Sequence, residues 1–317
     1  MASMKRRFAH LNLMVAGAVS FALSGLVAGS PAEERPDYTI RSDVRLVLLD
    51  VSVKNREGGI VSGLSKDDFA VSENGRPQRI TAFAHDDLPV TVGILVDESF
   101  SMRPKRADVL AAALTFIEEG NPHDEVFVLN FNDKVRRGLP DPMLFSGNVP
   151  QLRSALHRGI PEGKTAMNDA IVAGLRQLEL GRRDKKTLVV ISDGGDNASV
   201  HKRGEMLEMV ERSIATIYTI GLYDTENRDR DPAILRQLAK ISGGEAYFPD
   251  SPSRMIPVCR RIAKDIRTRY TIGYVPEAEN GPGFLRHIRV HVTAPGRLKL
   301  TVRTRSTYRY DERHKSE

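Results

Sequence analysis

The stretch VGILVDESFSM, Val92–Met102, runs apolar as far as Val96 and then sets oxygen-bearing side chains at alternate positions, Asp97, Ser99 and Ser101. Asp and Ser are ordinary helix caps, so this string alone has a bland reading. Two later stretches change that. GKTAMNDA carries Thr165 just ahead of an apolar helical pattern, and ISDGGDN carries Asp193 just after an apolar strand pattern. Together they form a set of hard oxygens, with no Cys or His, which suits Mg²⁺, Ca²⁺ or Mn²⁺ and not zinc or copper. Two facing carboxylates would repel unless a divalent cation lay between them, and together they would balance its charge. Three hydroxyls add coordination without further charge, so a remaining position on the ion would favour an anionic ligand.

Such a set needs elements that bring three loops together. From about Thr91 to Thr268, strand and helix patterns alternate. TVGILV precedes a helix over Ala107–Glu119, and EVFVLNF pairs with KVRRGL as a hairpin. Helices follow over Val149–His157 and through AMNDAIVAGLRQLEL. TLVVIS leads to a helix with Met206, Leu207, Val210 and Ile214 on one face. TIYTIGLY, a helix over Ala233–Ile241, EAYF and a helix from about Arg254 to Arg267 complete the series. Strands that are apolar throughout are expected where helices cover both faces of a parallel sheet. The expectation is a doubly wound, mostly parallel α/β domain, in which ligands sit beyond the carboxyl ends of the strands where strand order reverses. The flanks read differently. VRLVLLDVSVK, DFAVSEN and QRITAFA on one side, and YTIGYVP, LRHIRVHVTA and LKLTVRT on the other, are short strands between turn residues. Neither flank has enough strands to bury a sheet face alone. They are expected to pair into one small β-sandwich, with the α/β domain inserted between them.

The order and spacing of Asp97-x-Ser99-x-Ser101, Thr165 and Asp193 resemble the metal-ion-dependent adhesion site of the von Willebrand factor type A domain, over residues 89–269. The flanks, at 37–88 and 270–310, resemble the extended type A-related family abundant in acidobacteria. The resemblance implies a non-catalytic binding domain that holds Mg²⁺, with Mn²⁺ or Ca²⁺ as alternatives. It implies direct ligation by Ser99, Ser101 and Thr165, with Asp97 and Asp193 often acting through water. It also implies a protein partner that supplies an Asp or Glu to the metal. Phe100, Glu98 and Lys164, beside the ligands, are the candidates for touching that partner. Phe100 departs from the family, which usually has a small residue there. Asp196 reads as a turn residue and Asp169 as a helix residue that bonds loop backbone. The rival from another class is a Mg²⁺-dependent, haloacid-dehalogenase-like phosphohydrolase. Its chemistry needs a second Asp two residues after the first, where this chain has Ser99, and a hydroxyl is no general acid at neutral pH.

The remaining features bound the setting. Lys5, Arg6 and Arg7 precede a largely apolar or small stretch over residues 11–29, and Ser30-Pro31-Ala32 follows. Residues 1–32 therefore read as a secretory signal, or alternatively as an uncleaved anchor, which places the chain outside the cytoplasm or in the periplasm. Without those three basic residues the net charge of +6 falls to +3, and residues 254–317 alone hold 15 basic and 6 acidic residues. That uneven balance does not indicate a nucleic-acid-binding surface. Arg297, Lys299, Arg303, Arg305 and Arg309 support a basic strand face for anionic glycans or headgroups, or else an edge blunted by charge. Cys259 is the only cysteine and reads as a core filler. Residues 311–317 read as a tail.

Overall fold

The computed structural model describes residues 46–223, 230–276, 284–294 and 299–309. The leader reading of residues 1–32 and the tail at 311–317 lie outside the described residues.

The strands that read as apolar throughout form the centre of a six-stranded sheet. β5 (Val90–Asp97) is buried at every position, and β8 (Lys185–Ser192) at all but one. The full order is β10-β9-β8-β5-β6-β7, with β6 (Glu125–Phe131), β9 (Thr216–Gly221) and β10 (Ala246–Tyr247) parallel to β5 and β8. Only β7 (Val135–Arg137), joined to β6 as a hairpin, is antiparallel. The chain leaves β5 for β6 on one side and later returns to β8 on the other, so strand order reverses between β5 and β8. α1 (Arg106–Glu118), α2 (Val149–His157) and α6 (Met255–Arg267) pack together on one face. α3 (Met167–Glu179), α4 (Arg203–Arg212) and α5 (Pro232–Ser242) pack in series on the other. Cys259, on α6, is fully buried within this core, and burial pushes its thiol up to about 12.

The flanks form the sandwich. β1 (Val47–Lys54) and β4 (Ile80–Ala84) from the N-terminal side enclose β11 (Tyr270–Tyr274) from the other, and β13 (Thr301–Arg303) closes that sheet as β13-β1-β11-β4. The second sheet runs β14-β12-β2-β3, made of Thr307–Arg309, Leu285–Val292, Phe69–Glu73 and Arg76–Gln78. Both sheets mix the two flanks, so neither flank can complete a sheet without the other. Leu49, Val51, Phe69, Tyr270, Ile272 and Ile288 fill the space between them. At its centre Glu73 accepts from the Tyr274 hydroxyl at 2.6 Å and the Tyr308 hydroxyl at 2.8 Å, and pairs with buried Arg286 at 2.5 Å. Burial of this charge is tolerable because β11, β12 and β14 each contribute a partner.

Two differences from the sequence reading have local causes. α4 stops at Arg212, so Ile214 belongs to no helix face and is exposed. β3 and β14 are three-residue edge strands, too short for any alternation to show.

The basic strand face also dissolves. Arg305 is buried and donates to the carbonyls of Glu211 and Ser213, both at 3.0 Å. Arg309 pairs with Glu211 at 3.0 Å and Arg303 with Glu245 at 3.3 Å. These cations fasten the C-terminal flank to the α/β domain. Arg297 lies outside the described residues.

Candidate metal centre

β5 must be apolar to sit centrally, and it ends at the point where strand order reverses. Its last residue, Asp97, is only 2 % exposed, as are Ser99 and Asp193. Asp97 Oδ1 accepts the backbone N–H of Ser99 at 2.9 Å, and Oδ2 accepts the Ser192 hydroxyl at 2.6 Å. The Ser99 and Ser101 hydroxyls lie 3.2 Å apart, and Ser101 Oγ donates to Asp193 Oδ2 at 2.7 Å. A continuous hydrogen-bonded path therefore joins the exit of β5 to the exit of β8 through four of the five expected ligands.

Thr165, the fifth, is also buried, and its loop is stitched to the loop after Asp193. Its backbone N–H donates to Asn197 Oδ1 at 2.9 Å, and its carbonyl accepts from Asn197 and Ala198 at 3.0 and 3.1 Å. The Gly163 carbonyl accepts the Phe100 N–H at 3.1 Å, which ties the same loop to the first. Gly163 and Gly194 make these turns with φ of 79° and 84°, a region most side chains avoid. A Cβ at Gly163 would also run into the Asp133 carboxylate, and one at Gly194 into the Asp231 carbonyl.

The electrostatics fit a divalent cation. Burial pushes Asp97 up to about 7, and the charge of Asp193 adds to that rise, against the hydrogen bonds from Ser192 and Ser99. A hard cation beside Asp97 would oppose that rise by favouring its charged form. Among the described residues no three His, Cys, Asp or Glu side chains gather as a metal site, so this candidate depends on its hydroxyls.

The flanking candidates separate. Phe100 is 67 % exposed and Lys164 is exposed. Glu98 is corrected: it is 2 % exposed and turned inward, accepting from Arg106 Nε at 2.8 Å, so it offers no side chain to a partner. Asp196 accepts the Asn168 N–H at 2.7 Å and the Ser199 hydroxyl at 2.6 Å, holding the start of α3. Asp169 accepts the backbone N–H of Val200 and of His201, both at 2.9 Å, as expected of a helix residue bonding loop backbone.

Three contributors escape sequence reading. Ser192 supports Asp97 from the end of β8, where it looks like one more strand residue. Asn197 anchors Thr165, and only its place after Asp193 hinted at this. Lys105, buried just past Ser101, reaches the carbonyls of Ser101 at 3.5 Å and Leu222 at 3.4 Å. No pattern marks a lysine for that.

A doubly wound sheet with an oxygen-lined centre at its switch point defines a class of α/β binding domain. Residues 92–195, which contain all five expected ligands, match the von Willebrand factor type A domain. Among solved structures, a von Willebrand factor type A protein from Catenulispora acidiphila aligns with a TM-score of 0.50 at 16 % identity. That alignment covers 78 % of this chain and 74 % of the other, and shows a common fold. An uncharacterized protein of Synechocystis sp. is 24 % identical over 230 residues, 70 % of this chain. The chain spans about half the length of that relative.

Proposed function

We propose that this chain is a non-catalytic, divalent-metal-dependent protein-binding module of the bacterial cell envelope, of the extended, acidobacterial type A-related branch. Asp97, Ser99, Ser101, Thr165 and Asp193 would hold Mg²⁺, with Mn²⁺ or Ca²⁺ as alternatives. The bound ion would supply an electrophilic position for a carboxylate of the partner. The observation that carries this reading is the bond from Ser101 Oγ to Asp193 Oδ2 at 2.7 Å, which brings expected ligands from the β5 and β8 exits into contact.

The protein's own residues do the positioning. Ser192 and the Ser99 N–H fix both oxygens of Asp97, so the carboxylate faces the site in one orientation. The Gly195 N–H fixes Asp193 Oδ1 at 3.1 Å, and Oδ2 accepts from Ser101. With two carboxylates against a dication, the site is near neutral, and an incoming carboxylate meets no net repulsion. The hydroxyl of Ser99 stands where phosphoryl-transfer chemistry would want a second carboxyl.

Isothermal titration of Mg²⁺ into the wild type and into Asp97→Ala tests the site. Binding heat in the wild type and none in the variant is expected. Equal heats would sink the metal centre. Metal-dependent hydrolysis of a phosphate ester, lost in Asp97→Ala, would instead establish the phosphohydrolase.

A further inference from the structure

We propose that Phe100, Ile160 and Val200 form an apolar collar around the metal centre, which selects partner segments whose metal-bound carboxylate is flanked by apolar side chains. This inference rests on the adhesion-site reading above and specifies the partner of that site.

Single exposed apolar residues are common and need no explanation. These three are distinguished by where they stand. Phe100 is 67 % exposed, Ile160 51 % and Val200 87 %, and each sits on a different one of the three loops that bring the oxygens together. Phe100 begins a short 3-10 turn between Ser99 and Ser101, whose hydroxyls lie 3.2 Å apart, and its ring stands in solvent beside them. Ile160 is five residues before Thr165 and Val200 seven residues after Asp193.

The backbone under each is fixed. The Phe100 N–H donates to the Gly163 carbonyl. The Ile160 carbonyl accepts from the Glu162 N–H at 2.9 Å, and that N–H also reaches the Glu98 carbonyl at 2.9 Å. Asn132 Nδ2 adds a second bond to the Ile160 carbonyl at 3.3 Å. The Val200 N–H is held by Asp169 Oδ2 at the first turn of α3, next to Thr165. A partner that covers these side chains therefore orders little loop backbone, and the apolar area removed from water appears as affinity.

The charge of the centre and the collar select different things. Two carboxylates and a dication select an anion with hard oxygens. A small inorganic anion would satisfy the metal and leave all three side chains in water. A protein segment with one Asp or Glu between aliphatic or aromatic neighbours satisfies both. The occupant is thus an acidic residue within an apolar stretch of another protein.

The test uses short synthetic peptides with one central Glu, flanked either by Leu and Phe or by Gly and Ser. Binding is read by fluorescence anisotropy in Mg²⁺ and in EDTA, on the wild type, Phe100→Ser and the triple serine variant at 100, 160 and 200. On the wild type the apolar-flanked peptide should bind about tenfold tighter or more, the scale set by burying part of one large side chain. Phe100→Ser should lower that ratio and the triple variant bring it close to one, while the Gly/Ser peptide binds all three proteins alike. All three positions are exposed, so the variants should unfold at the wild-type temperature. Equal wild-type binding of both peptides, with Mg²⁺ required, overturns the collar and leaves the metal reading intact. Binding of neither peptide in Mg²⁺ overturns the adhesion-site reading and the collar with it. Equal apolar-flanked binding in EDTA, or with Glu→Gln in the peptide, overturns the coupling of the two.

Discussion

Glu98 shows how a side chain can stand beside a site in sequence and still face away from it. Asp97 and Ser99 turn towards the centre, while Glu98 between them points into the protein and meets Arg106 at the start of α1. Arg106 Nη2 also donates to the Gly159 carbonyl at 2.9 Å, on the loop that leads to Thr165. The pair is a strut between the β5 exit and the Thr165 loop. Burial raises Glu98 above the ordinary carboxylate range, and the Arg106 hydrogen bond and charge pull against that rise. Removing the cation would leave a buried carboxyl with no opposing charge, a change that costs roughly 3 kcal/mol in comparable pairs. Arg106→Ala should therefore lower urea stability by about that amount and weaken Mg²⁺ binding. Glu98→Gln, which can still accept from Arg106, should lose less of both. Parallel denaturation and titration of the two variants check this, and equal losses would remove the strut.

Elements were legible where their pattern was strong. β5 and β8 announced themselves by continuous apolar residues, and the five expected ligands by oxygen types immediately beyond strand ends or before a helix. The pairing of the flanks was legible from strand number alone, since three short strands on each side could not bury a face. What stayed hidden depended on partners far along the chain. Arg305 reads as an alternating strand cation, yet it is buried because the carbonyls of Glu211 and Ser213 receive it. The mixed sheets make a further expectation. Deleting residues 298–317 removes β13, which pairs with Ser52–Lys54 of β1, and β14, which pairs with β12. It also takes the Tyr308 hydroxyl away from buried Glu73. Hydrogen exchange should rise across residues 44–85 and stay slow in β5 and β8, whose ladders lie wholly within the α/β sheet. Unchanged protection in residues 44–85 would mean that each flank holds itself together.

At the scale of the whole molecule, the α/β domain and the sandwich meet through a buried ionic cluster. α6 leads almost directly into β11, and Asp265 at the end of that helix accepts from Ser52 of β1 at 2.6 Å and from Tyr218 of β9 at 2.5 Å. Asp265 pairs with Arg269 at 3.2 Å and with Lys54 at 3.3 Å, while Arg269 also donates to the carbonyls of Gly243 and Asp50. Burial alone would raise Asp265, but Arg269 and Lys54, with the two hydroxyls, more than offset it and bring the carboxyl down to about 2. A carboxyl lowered on folding contributes stability above its unfolded value, near 4, and that contribution fades as pH falls towards the folded value. From pH 4 down to 2, this group should therefore cost the fold roughly 2 kcal/mol as it takes up a proton. Asp265→Asn removes the titration and leaves two buried cations facing a neutral amide, so it should be less stable than the wild type at pH 6. The gap between the two should narrow as pH falls below 4. Urea unfolding from pH 6 to 2.5, followed by circular dichroism, reads both curves. A difference that stayed constant with pH would show that Asp265 does not carry the charge that joins the two parts of the molecule.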